Sequence, residues 1–169
     1  MGGKLKRASV IGGPATNIAD VPPPFGGGSW SSSGVIVYSS AGTLYRVLDV
    51  GGETTPVAKL DTSLGETEHV APYFLPDGRR FLYLAVSSDT KNNAVYVGSL
   101  DSAERTRLFD SESKAVYAEP GYVLFNRADV VYAQAFDANS LKLSGEPVRI
   151  ADGSIVVAGE FVGRIGIQQ

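Results

Sequence analysis

One unit recurs along this chain at an almost constant step. An aromatic or apolar stretch leads into a turn glycine, and the glycine leads into an alternating apolar strand: GGGSWSSSGVIVY around Gly34, HVAPYFLPDGRRFLYL around Gly78, AVYAEPGYVLFN around Gly121. The turn glycines stand 44 and 43 residues apart. A fixed period in the forties with several short strands per unit is the pattern of a blade array, in which four-stranded antiparallel sheets pack around an axis as a β-propeller.

Strand signals between the glycines support this reading. Helical periodicity is almost absent, since glycine or proline interrupts every window that starts an i, i+3, i+4, i+7 stripe. In the first unit Val35 to Tyr38 reads as a strand, Ser40 to Gly42 as a turn, Thr43 to Val50 as the next strand, and Pro56 to Leu60 as a fourth after Gly51-Gly52. The second unit uses Pro76-Asp77-Gly78 to turn between Val70 to Leu75 and Phe81 to Val86, then continues with Ala94 to Leu100 and Arg105 to Phe109. The third places strands near Val116 to Ala118, Tyr122 to Asn126, Val130 to Phe136 and Pro147 to Ala151. The 20 glycines and 9 prolines fall between apolar runs rather than in one tract, which marks many turns between short strands.

The two ends read differently. Lys4 to Val10 and Ala15 to Ala19, separated by Gly12-Gly13-Pro14, match the third and fourth strands of a unit without its first two. Ser154 to Ala158 and Phe161 to Ile167 resemble the opening of another unit, with Gly166 placed 45 residues beyond Gly121. The expected organisation is a single propeller-type domain over residues 1–169: closing strands of an incomplete blade at 1–20, blades at 29–61, 69–110 and 115–152, and opening strands at 153–169. Repeat arithmetic therefore predicts about four blades. Incomplete blades expose an unpaired edge and a bare apolar face. The fragments complete one another within one chain, or between two chains as an eight-blade ring, or pair with other blades of a larger parent. Asp20 to Gly28, with Pro22 to Pro24 and Gly26 to Gly28, reads as an inter-blade loop rather than a polyproline recognition segment.

Composition narrows the function classes. A hydrophobic share of 43% with 20% charged residues in 169 is ordinary for a folded domain. Fifteen basic against eighteen acidic residues, a net charge of −3, offer no field for gripping a phosphate backbone, so no nucleic acid is expected. No run approaches the roughly 20 apolar residues of a membrane helix, so no membrane insertion is expected. MGGKLKRASVIGG begins basic but lacks the apolar core of ~7 to 15 residues that marks a secretory signal. The absence of cysteine removes disulfides, thiolate metal sites and cysteine nucleophiles, and leaves the compartment open.

The segment ETEHVAPYFLPDGRRFLYLAVSSDTKNNAVYVGSLDSAERTRLFD resembles a blade of the TolB-like, WD40-like propellers of many bacterial proteins. GKLKR with GGPATNIAD, the GGGSW, GVIVYSS and LYRV stretches, and the closing LSGEPVRIAD are similar to propeller regions attached to bacterial serine/threonine kinases. The resemblance covers essentially the whole chain. It implies that the first strand of each blade lines the axis, and that in a full-length parent the propeller is an extracytoplasmic sensing or interaction domain. The chain departs from the family turn at Ser31-Ser32-Ser33-Gly34 and at Glu119-Pro120-Gly121. It has no Gly-rich phosphate loop, HRD-like catalytic loop or DFG, so no phosphoryl transfer is assigned to it.

Residues with chemistry are few. His69 is the only histidine and sits beside Glu66 and Glu68, the one compact group that offers candidates for a metal or acid-base site. The competing reading, that His69 orients a turn through hydrogen bonds, carries more weight. Ser29 and Ser31 to Ser33 lack a base placed by sequence and are not read as nucleophiles. Asp77 reads as a turn former. Asp101, Glu104, Asp110 and Glu112 lack the oxygen spacing of a calcium loop and read as solvated rim charges. The recurring aromatics, from Trp30 and Tyr38 to Tyr132 and Phe136, read as inter-blade core, with Trp30 and Tyr73 as candidates for an axial mouth. The expected function is a non-enzymatic binding module that self-associates to complete its open blades. It has no catalytic residue and no cofactor, and its ligand-binding candidates are Trp30, His69 and Tyr73. The alternative is a lactonase- or glycosidase-like hydrolase with an axial polar or metal site.

Overall fold

A computed structural model describes residues 3–153; the expected strands at 154–169 lie outside the described residues. Fourteen strands form four antiparallel sheets in chain order. Sheet 1 holds β1 (Gly3–Arg7) and β2 (Thr16–Val21). Sheet 2 holds β3 (Phe25–Trp30), β4 (Val35–Ser40), β5 (Thr43–Leu48) and β6 (Thr55–Pro56). Sheet 3 holds β7 (Glu66–Phe74), β8 (Arg80–Ser87), β9 (Ala94–Ser99) and β10 (Thr106–Asp110). Sheet 4 holds β11 (Ala115–Ala118), β12 (Tyr122–Arg127), β13 (Val130–Asp137) and β14 (Lys142–Asp152). Every strand pairs with its neighbour in sequence, so each sheet is a simple meander.

Short turns set these registers. Ala41 and Gly42 both have positive φ, 50° and 79°, which is the two-residue hairpin geometry whose twist matches that of the flanking strands. In the β7–β8 turn the Asp77 carboxylate accepts from the amides of Arg79 and Arg80, both at 2.9 Å, and Gly78 takes φ 65°.

The sheets stack face to face, and three apolar cores lie between them. Leu5, Ile18 and Val21 of sheet 1 meet Ile36, Tyr38 and Val47 of sheet 2. Val37 and Leu44 of sheet 2 meet Phe74, Phe81, Tyr83 and Tyr96 of sheet 3. Leu82, Leu84, Val95 and Val97 of sheet 3 meet Val123, Phe125 and Phe136 of sheet 4. This explains why β8 reads RFLYLAVS with scarcely a polar residue: alternate side chains enter different cores, and both faces are covered. Each large side chain so buried contributes about 1.5–3 kcal/mol.

Several expected boundaries move. β6 is two residues long where Pro56 to Leu60 was expected, and β14 runs eleven residues where five were expected. The segment to Gly28 is not all loop, because β3 already starts at Phe25. Its glycines have a packing reason: a Cβ at Gly26 would lie 2.7 Å from both Ser39 Oγ and Val70 Cγ1, so only glycine lets β3 approach β7.

The ends of the stack are unlike each other. Among the described residues β1 pairs only with β2, so its second edge is free. Sheet 4 buries one face, and no described residue outside the sheet joins a core on its other face. Strand register places Val116, Leu124, Ala133 and Val148 in one row across that other face, with Ala118, Tyr122 and Ala135 in the next. Val148 is 63% exposed and Tyr122 44%. The corresponding face of sheet 3 is buried against sheet 4.

Candidate functional site

The densest polar grouping lies at the junction of sheets 2 and 3. β7 carries Glu66 and His69 on the same side, and both side chains are shut from solvent, at 1% and 0% exposure. His69 Nε2 meets Glu66 Oε2 at 2.9 Å, while the Asp61 amide donates to the same oxygen at 2.7 Å. The Arg105 guanidinium, arriving just before β10, donates to Glu66 Oε1 at 2.7 Å and lies 3.4 Å from Asp61 Oδ2. It also sits 4.2 Å above the ring of Tyr96, which stacks on Tyr83. The backbone of His69 ties the two sheets together, its amide donating to Gly42 O at 2.9 Å and its carbonyl accepting from Ser39 Oγ at 2.7 Å.

A carboxylate facing Nε2 calls for a proton there, which assigns the Nε2–H tautomer and leaves Nδ1 as a bare acceptor. Nδ1 is buried with no hydrogen-bond partner among the described residues. Burial pushes the imidazole below its usual 6.5; Glu66 opposes this, Arg105 adds to it, and the ring stays neutral. Burial likewise raises the Tyr83 phenol to about 12 against the pull of Arg105. The Tyr83 hydroxyl is close to that cation but forms no well-shaped hydrogen bond with it. Burial disfavours the Arg105 cation, and Tyr83 and Glu66 more than offset this, so its pKa rises.

This arrangement ties sheets 2 and 3 together, with Glu66 and His69 shut from solvent and Arg105 and Asp61 partly exposed at its outer side. A metal ion at Glu66 and His69 would have to displace the Arg105 guanidinium and enter a sealed core. Glu68, the third metal candidate, is exposed and turns toward Gly42 instead. Among the described residues no group of three or more His, Cys, Asp or Glu is placed to hold an ion.

The three ligand-binding candidates do not converge. Trp30 ends β3 and packs on the core between sheets 1 and 2, with the Arg7 guanidinium 5.6 Å above its ring. Tyr73 packs on the core between sheets 3 and 4. His69 is wholly buried between sheets 2 and 3, so it lines no open mouth. The serines serve the backbone: Ser29 Oγ accepts from Phe74 N at 3.0 Å, and Ser31 Oγ accepts from Val35 N at 3.1 Å. Asp101 pairs with Arg79, Asp110 pairs with Arg107, and Glu104 and Glu112 are exposed, so these acids form no cage. Sequence reasoning missed Arg105, Asp61 and Tyr83 as members of the buried group. No local signal marked them: Arg105 precedes β10, at the opposite edge of sheet 3 from the β7 strand that carries Glu66.

Comparisons with known proteins give a fold. No family model matches the chain, and no curated protein matches it. Among solved structures it is similar to TolB from Acinetobacter baumannii, with a TM-score of 0.62 and 18% identity over 83% of this chain and 36% of that one. A chain of the nidogen/laminin complex gives 0.60 and 15% over 83% and 54%. The β-propeller domain of the Trilobed protease from Pyrococcus furiosus, which has an open velcro topology, gives 0.55 and 12% over 75% and 42%. The fold is a β-propeller. The chain spans between 36% and 54% of the length of these structures, and the four stacked sheets are blades of a partial array.

Proposed function

We propose that this chain is a propeller interaction module, with no catalytic step of its own, whose open array is completed by a second copy. The second, apolar face of sheet 4 carries this reading. Sheets 2 and 3 bury apolar residues on both faces, whereas sheet 4 leaves Leu124, Ala133 and Val148 without cover among the described residues. Apolar surface of this kind, together with the free edge of β1, favours association. The outer polar side chains of sheet 1, including the Lys4–Asp20 pair at 2.6 Å, leave that end to close by strand pairing rather than by face packing. The likeness of GKLKR, GGPATNIAD and LSGEPVRIAD to kinase-attached propellers supports a sensing role within a larger receptor as the setting of this module.

Light scattering on the 169-residue chain tests the proposal. The expected result is a mass of two protomers, reduced to one by Val148→Glu with little loss of melting temperature. A single-chain mass at all concentrations, with a scattering profile of a closed ring, would overturn it.

A further inference from the structure

A groove of about 640 Å³ opens where sheets 3 and 4 meet, on the side carrying the β8–β9, β10–β11 and β12–β13 connections. Its volume falls within the range of small-molecule sites, and every lining residue but Ala128 carries a polar or charged side-chain group.

The walls are braced. Ser113 Oγ accepts from Asn126 N at 3.0 Å and donates to Asn126 O at 2.8 Å, and Ser111 N donates to Asn93 O at 3.1 Å. Two cations face the space from different blades, Lys91 from the β8–β9 connection and Arg127 from the end of β12. Among the described residues neither meets a carboxylate. The Arg127 guanidinium is laid over Phe125 and Tyr132, 5.2 and 5.7 Å from their ring centroids, which fixes its plane while leaving its N–H groups available. Asp110 is already paired with Arg107 at 2.5 Å and does not neutralise them.

Asn93 adds a neutral donor to the two cations. It is only 7% exposed and lines the groove. Its Oδ1 accepts from Ser87 N at 2.7 Å, while its Nδ2 amide has no partner among the described residues. That amide is open to the groove rather than sealed in the core, so it can donate to an acceptor placed there.

We propose that the groove binds a small zwitterion of the amino-acid or short-peptide class. Its carboxylate sits between Lys91, Arg127 and the Asn93 amide, and its ammonium faces Glu112, an acid on the same wall that carries no ion pair among the described residues. With Asp110 held by Arg107, Lys91 and Arg127 against Glu112 leave one net positive charge, which compensates a phosphate dianion less well than a single carboxylate whose ammonium meets Glu112.

Titration of the full chain with the tripeptide Ala-Ala-Ala, followed by backbone amide shifts, tests this independently of self-association. Shifts should centre on residues 90–93 and 111–128. C-terminal amidation and Arg127→Gln should each weaken binding about tenfold, the loss expected for one charge-assisted hydrogen bond, while N-acetylation of the tripeptide should weaken binding to the native chain more than to Glu112→Gln. Glu53→Gln, in the β5–β6 connection of sheet 2, serves as the unaffected control, and unchanged melting temperatures show that the variants fold. The proposal is overturned if no shifts arise at millimolar tripeptide. Tighter binding of inorganic phosphate than of the tripeptide, or indifference to both amidation and Arg127→Gln, would equally overturn it.

Discussion

Replacing Arg105 with methionine should destabilise this protein far more than an ordinary surface charge deletion. The guanidinium makes one charge-assisted hydrogen bond to a carboxylate that is 1% exposed, a longer contact to Asp61, and a close stack on Tyr96. A hydrogen bond to a charged group is worth about 1.5–3 kcal/mol, and a partly desolvated cation–π contact adds about 1–2 kcal/mol. Removing one member of a buried ion pair also strands the other, which brings the expected loss to about 3–5 kcal/mol. For a domain of this size that is a fall in melting temperature on the order of 6–20 °C. The double variant Glu66→Gln with Arg105→Met should be less unstable than Arg105→Met alone, because no buried charge is left unpaired and the glutamine carbonyl still accepts from His69 and the Asp61 amide. Urea unfolding of the wild type, both single variants and the double variant forms the cycle. A loss below about 1 kcal/mol for Arg105→Met, or a double variant that is simply the sum of the singles, would refute the claim that these groups act as a unit.

Acidification offers a separate check: the folded-state pKa of His69 lies below its unfolded value, so the unfolded chain binds more protons and stability should fall as pH drops below about 6.5. His69→Gln should flatten that part of the pH–stability curve. Tyr83 has the opposite sign, since its pKa is raised to about 12 and the stability it confers is present below pH 10 and lost as pH rises towards that value; absorbance titration should show one late-ionising tyrosine. Gly98→Ala would place a Cβ 2.8 Å from the Phe81 ring and 3.3 Å from Tyr83, an overpacking that should cost about 1–3 kcal/mol in thermal unfolding. Asp77→Ala removes two backbone caps from the β7–β8 turn and should cost about 1 kcal/mol, measured by urea unfolding.

Local chemistry was readable from the chain in proportion to how local it was. The glycine period and the alternation of β4, β8 and β12 declared short strands in repeating sheets, because a period of two and a turn residue act within a few positions. Glu66, Glu68 and His69 were visible as a compact polar group, but the contact between Glu66 and His69 was not, since side chains three apart on a regular strand face opposite ways and a register irregularity between Glu66 and Glu68 brings these two together. β14 was underestimated because Gly145 and Pro147 look like breakers, yet irregular pairing with β13 absorbs them. β3 was underestimated because a glycine run looks like a loop, although Gly26 is glycine so that Val70 can pack against it.

What the sequence determined by itself is the blade: strand, turn and period follow from backbone geometry and side-chain alternation, and these need no distant partner. The tertiary structure alone decided what the polar residues do. It brought Arg105 onto Glu66 across 39 positions, sealed His69 away from any ligand, sent Trp30 and Tyr73 to different cores, and set Asn93 and Arg127 on facing walls of one groove. The physical reason is that burial and pairing depend on which sheet faces cover one another, and that covering is fixed only when the blades stack.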